Sequence, residues 1–277
     1  MSCRALEKEG YPRPRIEFLG VFLAIAFIAQ GCGKPKPVTP SSALQALADQ
    51  AADARVCRGR AWVSVKSARQ KASFAGVVVL DRTDSAKPRL RIEALDPVGG
   101  LHHLILVDGE RDTLDWADFD SGVWRSGKSK WRGIPIHLLP HLLLGSMDTA
   151  WLGRFGYTAP QVSSQEGAET VTLRKEAGGE PLRLGLGWIP PGPRLLLTSV
   201  STAVRERQGL RKVQVSYGRF GERKDRHAPQ DVTLSVEPDF ELKLLWRERE
   251  WLDEAPDAEL FRVPAGRQTG MKHDDLP

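Results

Sequence analysis

Apolar and polar residues alternate with a period of two along most of the chain from residue 59 onward. Successive side chains of a β-strand point to opposite faces, so this period is typical of strands. Eleven segments have it: 61–65, 72–80, 90–94, 104–107, 113–116, 170–174, 182–186, 195–200, 213–217, 232–236 and 242–251. Short polar or glycine-containing turns separate most of them, without the regular spacing of strand–helix–strand units. The pattern therefore predicts a mainly β protein with an antiparallel sheet.

The sequence predicts two or three short helices, of which two can be placed. Ser42 and Gln45 have the spacing of a capping box, and apolar residues then recur in steps of three and four from 44 to 54, which predicts an N-terminal helix. The second lies in a leucine-rich segment that contains Pro140. Because proline is tolerated only in the first turn, we expect a short helix that begins near Pro140 and is capped by Gly145.

Some of the predicted strands are apolar on both faces. The clearest is 74–80, where Phe74, Val78 and Leu80 share one face and Ala75, Val77 and Val79 share the other. A sheet with one face in water would alternate cleanly, so both faces of this strand must be covered. A fully packed core and an apolar cavity would each explain the pattern.

The N-terminus has the form of a secretory signal. Arg13 and Arg15 precede an uncharged, mostly apolar run at 18–29, which is too short to cross a bilayer as a helix. The run ends in AQGC at 29–32 and resembles the lipobox of bacterial lipoproteins. That resemblance implies a signal peptide at 1–31, lipid attachment at Cys32 and a lipidated tether at 32–42. An ordinary cleavable signal is the alternative.

Composition and charge are those of a folded protein without a nucleic-acid partner. The 277 residues are 41% hydrophobic and 27% charged, with a net charge of +5. Residues 1–31 hold four basic and three acidic side chains, which leaves +4 on the remainder. This small excess is compatible with anionic lipid headgroups and does not call for nucleic acid. Only Cys57 remains besides Cys3 and Cys32, so we expect no disulfide framework.

The search for catalytic and metal-binding motifs gives no residue set. His102 and His103 are adjacent and would point to opposite faces of a strand, while Pro140 interrupts the spacing of His137 and His141. The acidic run at 108–120 lacks the spacing of a calcium loop. Nucleophile-elbow, phosphate-loop and Cys-x-x-Cys motifs are absent from the sequence. We therefore predict no enzymatic activity, no cofactor and no metal.

Four segments, taken in order, resemble the LolB-type outer-membrane lipoprotein receptors and the wider family of LolA-fold lipoprotein carriers. They are RG at 58–59, DPVG at 96–99, GIPI at 133–136 leading to LLLG at 142–145, and LFRVP at 260–264. The resemblance implies an open antiparallel half-barrel of about eleven strands, lidded by helices over a hydrophobic cavity, at 43–265. We expect residues 266–277 to form a loose tail.

The resemblance also implies a function and its residues. The protein would sit in the outer membrane facing the periplasm, bind the acyl chains of other lipoproteins delivered by a periplasmic carrier, and help to insert them among the outer-membrane lipids. Val98, between Pro97 and Gly99, would form the membrane-insertion loop. The candidates for lining the cavity are Trp62, Phe74, Val78, Leu80, Ile92, Leu104 and Leu142. The alternative is a structural, assembly or sensor lipoprotein that uses the same fold to bind proteins.

Overall fold

The computed structural model describes residues 37–68, 71–96, 98–165, 168–176, 178–189, 194–206, 209–223, 226–264 and 271–275. The predicted signal peptide, Cys32 and Pro97 lie outside the described residues. Val38–Pro277 forms one compact unit, and its helices and strands share a hydrophobic core. A unit with its own core is expected to fold as a domain.

Sixteen strands are present in the part of the chain that the structure describes. They are β1 (Val56–Lys66), β2 (Lys71–Asp81), β3 (Arg89–Leu95), β4 (Leu101–Asp108), β5 (Thr113–Asp118), β6 (Val123–Lys128), β7 (Lys130–Trp131), β8 (Ile134–Pro135), β9 (Tyr157–Gln165), β10 (Ala168–Lys175), β11 (Leu182–Ile189), β12 (Arg194–Glu206), β13 (Gly209–Arg223), β14 (Arg226–Val236), β15 (Phe240–Trp251) and β16 (Lys272–Asp275).

Fourteen of these strands form a single open sheet. Its order is β16-β6-β5-β4-β3-β2-β1-β15-β14-β13-β12-β11-β10-β9, so β16 and β9 are its two edges. Neighbouring strands are antiparallel except that β16 lies parallel to β6. The mainly β, open antiparallel architecture confirms the predicted fold class. Each predicted strand lies within an observed one, and the sheet exceeds the expected eleven strands by β6, β9 and β16.

In the described residues, three α-helices accompany the sheet: α1 (Pro40–Asp53), α2 (Leu139–Leu144) and α3 (Thr149–Arg154). Helix α2 has Pro140 in its first turn and ends at Gly145, whose φ of 72° is the left-handed conformation that glycine adopts readily. Both features agree with the prediction. Among the described residues, no helix is long and apolar enough to cross a membrane.

Helix α1 begins earlier than predicted. Its capping box joins Thr39, rather than Ser42, to the residue three positions on: Thr39 Oγ1 accepts from the Ser42 amide at 3.2 Å, and Ser42 Oγ accepts from the Thr39 amide at 2.9 Å. The predicted pair of Ser42 and Gln45 was therefore wrong. Since Pro40 fits the first turn and Thr39 can cap it, the helix extends into the predicted tether.

Helices α1 and α2 cover one face of the sheet, which we call the inner face. Leu47 of α1 and Leu142, Leu143 and Leu144 of α2 are buried there in a core with residues from most strands. A smaller cluster lies on the outer face, where Val263 and Met271 of the C-terminal segment cover Leu104, Leu106 and Ala117.

The C-terminal segment is not the loose tail expected for 266–277. Residues 272–275 form β16, which adds to β6 with the Lys272 amide donating to the Gly122 carbonyl at 2.9 Å. The reason is that β6 would otherwise leave its backbone groups unpaired. The part of this segment from 266 to 270 lies outside the described residues.

Candidate functional site

An apolar cavity of about 470 Å³ lies on the inner face between α2 and the strands on the β15-to-β6 side of the sheet. Its volume is in the range of small-molecule sites, roughly 300–1,000 Å³. The apolar side chains that define it include Phe74, Ile92, Ile105, Trp116, Leu139 and Leu143. We call it the first cavity.

A second cavity of about 340 Å³ lies on the other side of α2, towards β11–β13. Leu139 and Leu143 of α2 face the first cavity, whereas Leu138 and Leu142 line the second. The β7–β8 hairpin is divided in the same way, with Trp131 at the first cavity and Ile134 at the second. Helix α2 and this hairpin therefore split the space over the inner face in two.

Five of the seven predicted cavity residues lie on the inner face. Phe74 and Ile92 line the first cavity, and Leu142 lines the second. Val78 and Leu80 continue the face of Phe74, but both are fully buried in the packed core and line neither cavity. The inner face is thus part cavity and part packed core.

Trp62 and Leu104 are corrections, because both point to the outer face. Trp62 is 44% exposed, while the next residue in β1, Val63, is buried in the core. Leu104 lies between two cavity residues of β4, His103 and Ile105, so the alternation of the strand turns it outward. Its hydrophobicity contributes to the outer-face cluster instead of to the cavity.

Ile105, Trp116 and Phe240 also line the first cavity, although they are not among the residues predicted to do so. Ile105 and Trp116 are cross-strand partners on β4 and β5. Alternation along β5 places Trp116 on the same face as Leu114 and opposite to Asp115, and therefore on an apolar face. What the pattern could not supply was the position of α2 over that face.

The first cavity also has a small set of polar groups. They belong to Ser67, His103, Arg125 and Arg132, and no carboxylate is present among the described residues that line it. The Arg132 guanidinium lies 4.5 Å from the centre of the Phe240 ring and 3.5 Å from an oxygen of Asp239. The charged groups lining the cavity are therefore cationic.

The predicted insertion loop is a tight turn held by Asp96. One carboxylate oxygen of Asp96 accepts from the Val98 amide at 2.9 Å and from the Gly100 amide at 2.6 Å. These hydrogen bonds lower the pKa of the Asp96 carboxyl, and the bond from the Gly100 amide has the largest effect. Gly99 has a φ of 90°, and the Val98 side chain is 92% exposed. The turn thus directs an apolar side chain into solvent.

Histidine and aspartate side chains meet close to this turn. His102 Nδ1 lies 2.7 Å from Asp120, whose hydrogen bond raises the pKa of that histidine. Ligand atoms of His103, Asp118 and Asp120 all lie within 4.8 Å of one another. Asp118 also accepts from the Asp120 and Ser121 amides as a turn residue. Three ligands are fewer than a structural zinc site uses, and we assign no metal here.

A buried polar group fixes the helices to the sheet. The Arg82 guanidinium donates to the carbonyls of Ala51 and Ala54 at the end of α1, to the Ser146 carbonyl beyond α2, and to His141 Nδ1 at 2.9 Å. Because arginine can only donate, His141 Nδ1 accepts, and its Nε2 donates to the Ser85 carbonyl at 3.2 Å. Burial lowers the pKa of His141 to about 3.

The outer face carries a groove of about 690 Å³. Its walls alternate in charge, and its lining includes Arg58, Arg60, Arg91, Glu93, Glu248 and Glu250. The groove differs from the two inner cavities in being mainly charged.

Comparisons with known proteins place the fold. No protein-family model matches the sequence, and a search of curated proteins gives no match. A domain described as an outer membrane lipoprotein-sorting protein domain, from Vibrio parahaemolyticus, is 8% identical and has a TM-score of 0.51 over 80% of this chain and 97% of its own. A DUF1329 family protein from Desulfovibrio piger is 9% identical with a TM-score of 0.55 over 81% and 98%.

A LolA superfamily protein from Nitrosomonas europaea is 12% identical and has a TM-score of 0.48 over 82% of this chain and 99% of its own. The first two similarities show that the chain shares its fold with a lipoprotein-sorting domain and a DUF1329 protein. At 8% and 9% identity they show the fold alone.

Proposed function

We propose that this protein is an outer-membrane lipoprotein, anchored through Cys32, that binds acyl chains of other lipoproteins and helps to insert them into the membrane. The observation that carries the proposal is the apolar first cavity between α2 and the inner face of the sheet. The fold shared with a lipoprotein-sorting domain supports it.

The apolar lining of the cavity suits the non-covalent transfer of an acyl chain. Each CH₂ group moved from water into apolar surroundings is stabilised by ~0.8 kcal/mol, so a long acyl chain is costly to leave in water. Phe74, Ile92 and Ile105 offer such surroundings. Transfer from carrier to membrane breaks no covalent bond, and therefore the function needs no catalytic group.

The Val98 turn would deliver the cargo. An exposed valine held rigidly by Asp96 can enter the apolar part of a membrane without any change of fold. In this proposal the domain faces the periplasm on its tether and receives acylated lipoproteins from a periplasmic carrier. It releases them next to the turn, where outer-membrane lipids accept the chains.

The acyl cavity is tested with two matched tryptophan substitutions in β2. Ala72 lines the first cavity, whereas Ala75 lies on the outer face and is exposed. Residues 38–277 should copurify with acyl species that are detected by lipid extraction and native mass spectrometry. We expect Ala72→Trp to remove these species by filling the cavity and Ala75→Trp to retain them. Equal acyl content in both variants would contradict the proposal.

The delivery step is tested in cells. Depletion of the protein should leave other lipoproteins in the periplasm or the inner membrane, and full-length wild type should restore their position. The Ala75→Trp protein should also restore it, and the Ala72→Trp protein should not.

One observation favours a second function, that of an envelope assembly or sensor lipoprotein that binds proteins. The charged groove on the outer face lies beside the half-exposed Trp62, and alternating charges with an accessible aromatic ring suit a protein surface. A stoichiometric protein partner, lost on Trp62→Ala and found on lipid-free protein, would favour this function over acyl transfer.

A further inference from the structure

Three of the nitrogen-bearing side chains of the first cavity lie on β4–β6. Arg125 of β6 is the direct cross-strand partner of Trp116 in β5. His103 of β4 lies two residues from Ile105, which pairs with Trp116 on its other side. All three side chains line the cavity. Neighbouring strands therefore bring a guanidinium, an indole and an imidazole together on one face.

Arg125 and Trp116 lack polar partners in the part of the chain that the structure describes, whereas His103 Nδ1 lies 3.6 Å from an oxygen of Asp118. The Arg125 side chain is exposed, and it makes no hydrogen bond or ion pair there. Trp116 Nε1 is buried without a hydrogen-bond partner among the same residues. A buried N–H group without an acceptor is uncommon in folded proteins and costs free energy. An oxygen acceptor that enters with a ligand would satisfy the indole.

We propose that the first cavity binds an acyl ligand with an anionic oxygen head, which lies at Arg125 and Trp116 while the chain follows Phe74 and Ile92. This rests on the acyl-binding cavity proposed above and adds a ligand class to it, since the acyl chains of a lipoprotein are ester- or amide-linked and have no anionic oxygen. Hydrogen bonds from a cation to an anionic oxygen are stronger than neutral ones. Since no described carboxylate lines the cavity, no acidic side chain in that lining competes for Arg125.

A carboxylate and a phosphate monoester both have an anionic oxygen head. Ligands that have the same acyl or alkyl chain length but different heads show which of the two the cavity prefers. Palmitate, hexadecyl phosphate and methyl palmitate are compared by displacement of the neutral fluorescent probe 1-aminoanthracene from residues 38–277. We expect the two anions to bind about tenfold more tightly than the neutral ester. The tighter anion identifies the preferred head. The difference in affinity between the anions and the ester should become smaller as the salt concentration is raised, because Arg125 is exposed.

Two arginine variants test the role of Arg125. Arg125→Gln removes the charge but keeps a donor, and should abolish the preference for anions while leaving the affinity for methyl palmitate unchanged. Arg183→Gln removes the same charge from an exposed position of β11 that lines no described cavity, and should keep the preference. The proposal would be overturned if Arg125→Gln lowered the affinity for the anions and for the ester equally, or if it left the affinity for the anions unchanged.

Trp116→Phe separates ligand binding from packing. It keeps an aromatic ring and removes the unpaired indole N–H, so the affinity for both anions should fall several-fold without a lower melting temperature of the free domain. Trp124→Phe is the control, because Trp124 Nε1 donates to Asp115 instead. A lower melting temperature with equal loss for all three ligands would mean that Trp116 only packs.

The outcome also distinguishes this inference from the proposed function. Tight binding of methyl palmitate without preference for the anions would refute the anionic head and leave acyl binding intact. Failure of all three ligands to displace the probe would overturn both.

Discussion

Val98 has the highest exposed fraction, 92%, of the large apolar side chains that the structure describes. If it enters the membrane, its burial stabilises the bound state by roughly 1.5 kcal/mol or more. We expect Val98→Glu to weaken the binding of residues 38–277 to anionic liposomes at least about tenfold, because the burial is lost and a carboxylate is repelled. Co-sedimentation measures the affinity.

The matched variant Val98→Leu should bind liposomes about fourfold more tightly, since it adds one CH₂ group worth ~0.8 kcal/mol. Melting temperature and acyl binding should be unchanged in both variants because the side chain is exposed. Unchanged liposome affinity of Val98→Glu would remove this turn from the delivery step, and loss of folding would show that the valine contributes to the core.

Val77 and Val78 are adjacent in β2 and face opposite ways. Val78 is fully buried in the core, whereas Val77 is half-buried and lines the charged outer groove. We expect Val78→Asp to abolish cooperative unfolding or to cost at least about 4 kcal/mol, because an unpaired charge would be buried. Val77→Asp should cost about 1 kcal/mol or less.

Urea unfolding followed by circular dichroism compares the two valine variants. If Val78→Asp proved as stable as Val77→Asp, the inner face at this point would be open rather than packed.

At the scale of elements, the hydrophobic pattern was sufficient for strands with a continuous apolar face. All eleven predicted strands are present, yet β6 and β9 were missed because their sequences, VWRSGK and YTAPQVSSQ, carry few apolar residues. Backbone pairing with β5 and β10 holds these two strands in the sheet. The pattern of apolar residues along one strand carries no information about such pairing. β16 was missed for the same reason.

The buried contact between Arg82 and His141 makes the attachment of the helices dependent on pH. His141 has a folded pKa of about 3 and an ordinary value of 6.5. Above pH 6.5 it is neutral in both states and has no effect. Below that, only the unfolded chain takes up the proton, so the free energy of unfolding falls by up to about 1.4 kcal/mol per pH unit.

Burial also lowers the pKa of His137, which makes the free energy of unfolding fall further as the pH is lowered. The hydrogen bond with Asp120 raises the pKa of His102, which has the opposite effect on the free energy of unfolding. His141→Gln isolates the one group, since glutamine can accept from Arg82 and donate to the Ser85 carbonyl without titrating. Between pH 6.5 and 5 we expect the wild type to lose up to about 2 kcal/mol more than this variant. Parallel stability curves from urea unfolding would contradict the assignment.

At the scale of the whole molecule, the sequence indicated covered faces but not how they are covered. The apolar face of β2 is packed core at Val78 and cavity at Phe74, and the difference depends on where α2 lies. That position is set by contacts distant in sequence, such as the hydrogen bond from Arg82 to the carbonyl of Ser146. No local pattern contains such contacts, and the same holds for the division of the space into two cavities.

The whole-molecule proposal also requires that the domain be tethered, and Cys32, outside the described residues, is the predicted attachment point. Cys57 cannot substitute for it, because it is fully buried in the core and burial raises the pKa of its thiol to about 12. We expect Cys32→Ser to abolish incorporation of radiolabelled palmitate and to move the mature domain from membranes to the soluble fraction. Cys57→Ser should keep both the label and the membrane location. Label retained by Cys32→Ser would refute the anchor, while label lost with the domain still on membranes would show that a second contact, for which Val98 is the candidate, is sufficient to hold it there.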